Sequence, residues 1–146
     1  MKLGRLNHIG VATPSIAESI AYYRDTMGAT AITEPFAMPE QGVKVCFVDT
    51  PTDSGLNGTQ IELIEPLDDG SPIHGFLAKN PLGGQHHVCF GVEDIGKARE
   101  WFEGKGKRIL GPTRIGAHGT PIFFLHPKDM MGQLTEIMET PKGAAH

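Results

Sequence analysis

The stretch NHIGVATPSIAESIAYY, residues 7–23, occurs a second time in altered form as HHVCFGVEDIGKAREWF, residues 86–102. When the two stretches are aligned, His8 falls on His87 and Ser15 falls on Asp94. Internal similarity over such a length is the mark of a repeated supersecondary unit. The sequence therefore predicts a fold built from two copies of one unit.

Each copy begins with a short strand and continues into an amphipathic helix. Ser15 and Glu18 form an S-x-x-E capping box in the first copy, and Asp94 is the corresponding N-cap candidate in the second. Apolar residues follow in the first copy at helical spacing: Ile16, Ile20, Tyr23 and Met27.

Three strand-like stretches follow each helix, separated by turn residues. They are TAITEPF (30–36), GVKVCFVDT (42–50) and TQIELIEP (59–66), then KRILGPTRI (107–115), TPIFFLHP (120–127) and QLTEIMET (133–140). The pattern predicts an α+β protein of two βαβββ modules with eight strands. We expect one domain over 1–146, with repeats at about 5–67 and 85–140 and a linker that holds a short helix near 72–80.

Composition limits the possible functions of the chain. It has 146 residues, 39% of them hydrophobic, and a formal net charge of -4, which fits one compact core and argues against nucleic-acid binding. No apolar run approaches the roughly 20 residues that span a bilayer, so we expect a cytoplasmic protein without a membrane partner. Cys46 and Cys89 lack metal or redox spacing and are expected to be reduced core thiols.

Each repeat places a histidine inside an apolar strand. In an extended chain His8 shares its face with Gly10 and Ala12, and small residues also line the face of His87. A single strand histidine is commonly a hydrogen-bonded core residue. The small neighbours, however, leave space beside each imidazole.

Two glutamates occupy equivalent positions in the last strand of each repeat. Glu62 and Glu136 both have apolar neighbours. If these carboxylates are buried, each implies a bound cation, a hydrogen-bonding partner or a raised pKa. If they lie on a solvent-exposed face of the strand, none of these is needed. Together with His8 and His87 they predict a site for one divalent metal ion: Co²⁺, Mn²⁺, Ni²⁺, Zn²⁺ or Fe²⁺. Four such ligands leave two octahedral positions for a substrate.

Seven motifs spread along nearly the whole chain resemble the vicinal oxygen chelate superfamily and, within it, the methylmalonyl-CoA epimerases. They are LNHIGVA, PEQGVKV, IELIEPL, SPIHGFLAKN, GGQHHVCF, IGAHGTPIFFLHPKD and GQLTEIMET. The resemblance implies that the eight strands form an incompletely closed, barrel-like sheet. It also implies a homodimer and a coenzyme A thioester as substrate.

The same resemblance makes the four repeat-equivalent residues metal ligands, with Co²⁺ as the first choice and Zn²⁺, Mn²⁺ or Ni²⁺ as alternatives. His87 is preferred to His86 because its register matches His8. The implied reaction interconverts (2R)- and (2S)-methylmalonyl-CoA by removal and return of the α-proton through a metal-chelated enolate. Glu136 and Glu62 are the expected bases.

Other residues of these motifs are candidates for substrate contacts. Gln41, His118 and Lys128 are predicted to bind substrate, and four further basic residues are candidates for the CoA phosphates: Lys44, Lys79, Arg108 and Arg114. Val45 stands where some relatives have an additional acidic base. The alternative functions are a lactoylglutathione lyase-type isomerase and a metal-free binding protein of the bleomycin-resistance type.

Overall fold

A computed structural model describes residues 1–55 and 57–142, without the side chain of Asn57. The α+β class is confirmed. The three α-helices are α1 (Ile16–Ala21), α2 (Ile73–Lys79) and α3 (Ile95–Gly104). The strands are β1 (Leu6–Ala12), β2 (Phe36–Met38), β3 (Val43–Pro51), β4 (Asn57–Pro66), β5 (Gly84–Val92), β6 (Ile109–Ile115), β7 (Pro121–Leu125) and β8 (Thr135–Glu139).

All eight strands belong to one mixed sheet with the order β2-β3-β4-β1-β5-β8-β7-β6. The last strand of each repeat lies next to the first strand of the same repeat, because β4 neighbours β1 and β8 neighbours β5. The β5–β8 pair is parallel, whereas β3–β4 and β7–β8 are antiparallel. The predicted duplication of one βαβββ unit is therefore visible in the strand order.

The chain forms two compact units whose boundary falls inside β1. Among the described residues, one unit lies within 9–86, and the other contains residues 1–8 together with residues 87–142. Backbone hydrogen bonds from Gly4 to Gly91 and from Gly91 to Arg5 attach the first residues to the second repeat. The single domain over 1–146, with repeats at about 5–67 and 85–140 and a linker between them, stays a prediction.

The unit of residues 9–86 packs α1 against the sheet. Ser15 accepts a hydrogen bond from the amide of Glu18 at 3.1 Å, so the predicted cap is present. Its buried core contains Ile16, Cys46, Val48 and Leu63. The predicted apolar stripe is wrong at Met27, which is 60% exposed, because a π-helical segment over Tyr22–Thr26 changes the helical phase.

The first predicted strand after α1 is also wrong in extent. Over residues 30–36 only Ile32 forms an isolated bridge, with Val48, and β2 begins at Phe36. Pro35 has no amide hydrogen to donate to a strand ladder, which explains why pairing does not continue through this stretch.

In the other unit, α3 packs against one face of the strands, and His87 lies on the opposite face. Asp94 accepts from the amide of Lys97 at 3.0 Å, as expected for an N-cap. Beneath the helix lies a core of Val92, Ala98, Phe123, Leu125 and Ile137. No helix within the described residues has the length and apolar character needed to cross a membrane.

Candidate metal centre

Two histidines and one glutamate meet in the interior of the unit that contains β5 and β8. His8 Nε2 lies 3.3 Å from His87 Nε2. Both nitrogen atoms lie 3.1 Å from the same carboxylate oxygen, Oε1 of Glu136. His8 is 0% exposed, His87 6% and Glu136 4%, so three ligand-type atoms converge where water has almost no access.

The sheet register explains why these side chains meet. Glu136 of β8 is the partner of Cys89 in the parallel β5–β8 ladder, and His87 is two residues before Cys89. Alternate residues of a strand share a face, so His87 and Glu136 lie on the same side of the sheet. The residues that alternate with them along the strands, such as Ile137, point to the other face and form the core beneath α3.

Asn7 orients the first histidine. The Nδ1 atom of His8 lies 2.8 Å from Asn7 Oδ1, and because a carboxamide oxygen only accepts, Nδ1 is the donor. This hydrogen bond orients the ring so that Nε2 of His8 faces Nε2 of His87 and Oε1 of Glu136. Sequence reasoning did not identify Asn7, although its position directly before His8 was the available signal.

The carboxylate of Glu136 is held in its ionised form. Burial raises the pKa of Glu136, but hydrogen bonds and charge interactions with His8 and His87 outweigh burial, and the net effect lowers the pKa below its usual range. Two imidazole nitrogens and one carboxylate oxygen at a single buried point are donor types that first-row divalent ions bind. This donor set therefore fits a divalent metal ion.

Glu62, the fourth predicted ligand, belongs to the unit of residues 9–86. It lies on β4 opposite Phe47 of β3 and is 6% exposed. Val45 is buried two pairs further along, opposite Ile64, on the same face. Glu62 is thus a carboxylate on an apolar strand face, away from α1. His8, Glu62, His87 and Glu136 are all buried, and each offers one ligand atom.

The adjacent histidines His86 and His87 have different surroundings. His86 turns its ring toward Phe76 of α2, with ring centroids 5.3 Å apart and an interplanar angle of 76°. His87 instead packs against the edge of Phe124, at 5.4 Å and 81°. His87 is therefore the histidine that joins the cluster.

The three predicted substrate-binding residues occupy different environments. His118, in the loop between β6 and β7, stacks on the imidazole of His8 at 5.1 Å with an interplanar angle of 21°. Lys128 is exposed in a short 3-10 helix, Pro127–Asp129, and its side chain is not part of the cluster. Gln41 is half-buried at the end of another 3-10 helix, Pro39–Gln41.

Both cysteines are free and buried, as expected. Cys46 donates to the carbonyl oxygen of Thr33 at 3.2 Å and lies in the helix-side core. Cys89 packs with Ile122, Met138 and Phe124 beside the cluster.

Residues 7–124 match the sequence profile of the glyoxalase/bleomycin resistance protein/dioxygenase superfamily. The chain is 48% identical over 137 residues to an ethylmalonyl-CoA/methylmalonyl-CoA epimerase from Cereibacter sphaeroides, with 92% of this chain and 97% of the relative covered. It is 46% identical over 138 residues to a mitochondrial methylmalonyl-CoA epimerase from Dictyostelium discoideum, with 94% and 79% covered.

A solved structure is similar in fold as well as in sequence. It is a variant of Streptomyces coelicolor methylmalonyl-CoA epimerase in complex with 2-nitronate-propionyl-CoA. The identity is 32%, the TM-score is 0.88, and 99% of this chain and 100% of the other are covered. The eight-stranded arrangement is therefore shared with this epimerase.

Proposed function

Because the chain belongs to the glyoxalase/bleomycin resistance protein/dioxygenase superfamily, we propose that it is an isomerase that interconverts the C2 epimers of methylmalonyl-CoA. The observation that carries the proposal is the buried contact of His8 and His87 with one oxygen of Glu136. The identity of 48% to an epimerase of this specificity supports the choice of substrate.

His8, Glu62, His87 and Glu136 would hold one divalent ion, with Co²⁺ as the first candidate. Burial of all four side chains and the repeat-equivalent positions of the two glutamates support Glu62 as the fourth ligand. When bound, the ion would act as a Lewis acid that stabilises negative charge on substrate oxygens.

Glu136 is the first candidate for the base that removes the C2 proton. Both of its contacts use Oε1, and Oε2 makes no hydrogen bond to any of the described residues. Oε2 can therefore accept the proton from one face of C2, which leaves a planar enolate. Return of a proton to the other face completes the inversion, and Glu62 is the candidate for that side.

The test follows epimerisation of (2S)-methylmalonyl-CoA in deuterium oxide by NMR. The metal-stripped protein should be inactive, and Co²⁺ should restore both inversion and deuterium incorporation at C2. Activity that survives complete stripping would contradict the metal-dependent mechanism. Turnover of the glutathione hemithioacetal of methylglyoxal, without turnover of methylmalonyl-CoA, would assign the lyase-type reaction instead.

The cytoplasmic location and the homodimer remain predictions. Light scattering of the purified protein measures the oligomeric state directly, and a monomer mass at micromolar concentration would contradict the dimer.

A further inference from the structure

We infer that Arg114, with Thr120, binds a negatively charged oxygen group of the substrate beside the histidine–glutamate cluster. This inference rests on the proposed function and names a binding residue for the same site. It concerns the hairpin formed by β6 and β7, whose residues Phe124 and His118 contact His87 and His8 of the cluster.

The strand register places Arg114 on the cluster side of the sheet. Arg114 of β6 is paired with Ile122 of β7, and Phe124 of β7 is paired with Glu136 of β8. Directly opposite residues in an antiparallel pair point to the same face, and so do residues two apart in one strand. Arg114 therefore shares a face with Phe124 and Glu136.

The side chain of Arg114 is directed along this face toward the cluster. Its guanidinium carbon lies 5.8 Å from the centroid of the Phe124 ring, although its backbone partner is Ile122. The Phe124 ring in turn packs against His87 at 5.4 Å. One aromatic ring thus separates a fixed positive charge from a residue of the cluster.

Arg114 has no anionic partner among the residues that the structure describes. Its guanidinium makes no hydrogen bond or ion pair with those residues, and it lies over the ring of Phe124. Arg24 pairs with Asp25, and Arg108 pairs with Asp129. A guanidinium placed on an aromatic face keeps its planar edge free to bind a carboxylate or a phosphate.

Thr120 supplies the second polar group. Its Oγ1 atom is buried and has no hydrogen-bond partner among the described residues, which is a costly arrangement that a bound oxygen atom would relieve. The loop of Thr120 is closed by a hydrogen bond from the amide of Gly116 to the Thr120 carbonyl oxygen. The same loop stacks His118 on His8, so Thr120 lies in a segment that contacts the cluster.

Two parts of the proposed substrate carry suitable oxygen atoms: the carboxylate of the acyl group and the phosphates of coenzyme A. Equilibrium binding by calorimetry separates them with three ligands: methylmalonyl-CoA, propionyl-CoA, which lacks the carboxylate, and methylmalonyl-pantetheine, which lacks the phosphates. Arg114→Gln should weaken binding of methylmalonyl-CoA by ~10- to 100-fold. If Arg114→Gln also weakens binding of propionyl-CoA, Arg114 binds a phosphate. If it also weakens binding of methylmalonyl-pantetheine, Arg114 binds the carboxylate.

Arg99 of α3 provides a matched control, because its guanidinium contacts the other face of the same two strands, β6 and β7. Its guanidinium carbon lies 5.8 Å from the centroid of Phe123, which faces the helix side, and it donates to Thr113 Oγ1 and the Gly111 carbonyl oxygen. Arg99→Gln removes the same charge and should leave ligand binding unchanged. Arg114→Lys, with a melting curve for each variant, separates loss of binding from loss of fold and should bind more tightly than Arg114→Gln.

Wild-type affinity of Arg114→Gln for methylmalonyl-CoA would overturn the inference, as would an equal loss in Arg99→Gln. Failure of the folded wild-type protein to bind any of the three ligands would also overturn it. A protein that binds them through Arg114 but catalyses no epimerisation would contradict the proposed reaction and support the anion site.

Discussion

His8 and His87 direct their Nε2 atoms toward each other at a separation of 3.3 Å. At most one proton can lie between two nitrogen atoms at this distance, and both nitrogens also face the same carboxylate oxygen of Glu136. A metal ion at their common point would be bound by all three atoms.

Replacement of His87 should remove one of the metal-binding atoms and weaken metal binding. Loss of a residue that only orients a metal ligand weakens metal binding by roughly 10- to 100-fold. His87→Ala removes a ligand itself, so we expect a larger loss of Co²⁺ affinity. Calorimetry on the stripped protein measures this. The adjacent variant His86→Ala is the control, because His86 packs on Phe76, and equal losses in both variants would contradict the assignment.

Asn7 should matter through the orientation of His8. Removal of its oxygen in Asn7→Ala frees the His8 ring to rotate and to change tautomer, so we expect Co²⁺ affinity to fall by ~10- to 100-fold. Asn7→Asp retains an acceptor oxygen and should recover most of that loss. Unchanged affinity in Asn7→Ala would show that the 2.8 Å hydrogen bond has no part in metal binding.

Glu136 should be required for proton exchange in both directions. Glu136→Gln keeps a possible metal-binding oxygen but removes the base, so we expect deuterium incorporation into both epimers to slow by ~100-fold or more. Metal content is measured in parallel. Glu139→Gln, three residues later on the other face of β8, should exchange at the wild-type rate, and a Glu136→Gln protein that does the same would exclude Glu136 as a base.

The helices depend on glutamates from the strands beneath them. Glu139 Oε1 accepts from the amide of Ile95 at 3.1 Å at the start of α3, and Glu65 Oε1 accepts from Ile16 at 2.8 Å at the start of α1. We expect Glu139→Ala to lower the free energy of unfolding by about 1 kcal/mol. Glu103→Ala, near the end of α3, should change it little, and chemical denaturation of both variants provides the comparison.

Asp129 should make stability depend on pH in the acid range. Arg108 donates to Asp129 through its side chain and its amide and holds the pKa of Asp129 well below its usual range. Because the folded pKa is lowered, the contribution is present above the unfolded pKa of about 4 and is lost as pH falls toward the folded value.

The difference in Tm between the wild type and Asp129→Asn should therefore be constant from pH 7 to 5 and shrink below about pH 4. A difference that grows on acidification would contradict this origin.

Local features of the fold were predictable because they depend on short-range periodicity. Both helix caps and the succession of strands and helices along the chain follow from the spacing of apolar and turn residues. Met27 was predicted to lie on the buried face of the first helix and is exposed, because the segment Tyr22–Thr26 is π-helical. No residue pattern in this segment indicated a π-helix. In the site, the repeat favours His87 over His86, and the ring of His87 is the one that lies next to Glu136.

The sequence by itself determined that two histidines and two glutamates occupy equivalent positions in duplicated strands, because strand alternation fixes the face of each side chain. Only the tertiary structure decided that His8, His87 and Glu136 share one contact point, and that Asn7, Phe124 and Arg114 surround them. Those contacts depend on strand register between segments distant in the chain, and register is set by the packing of whole faces rather than by any local pattern.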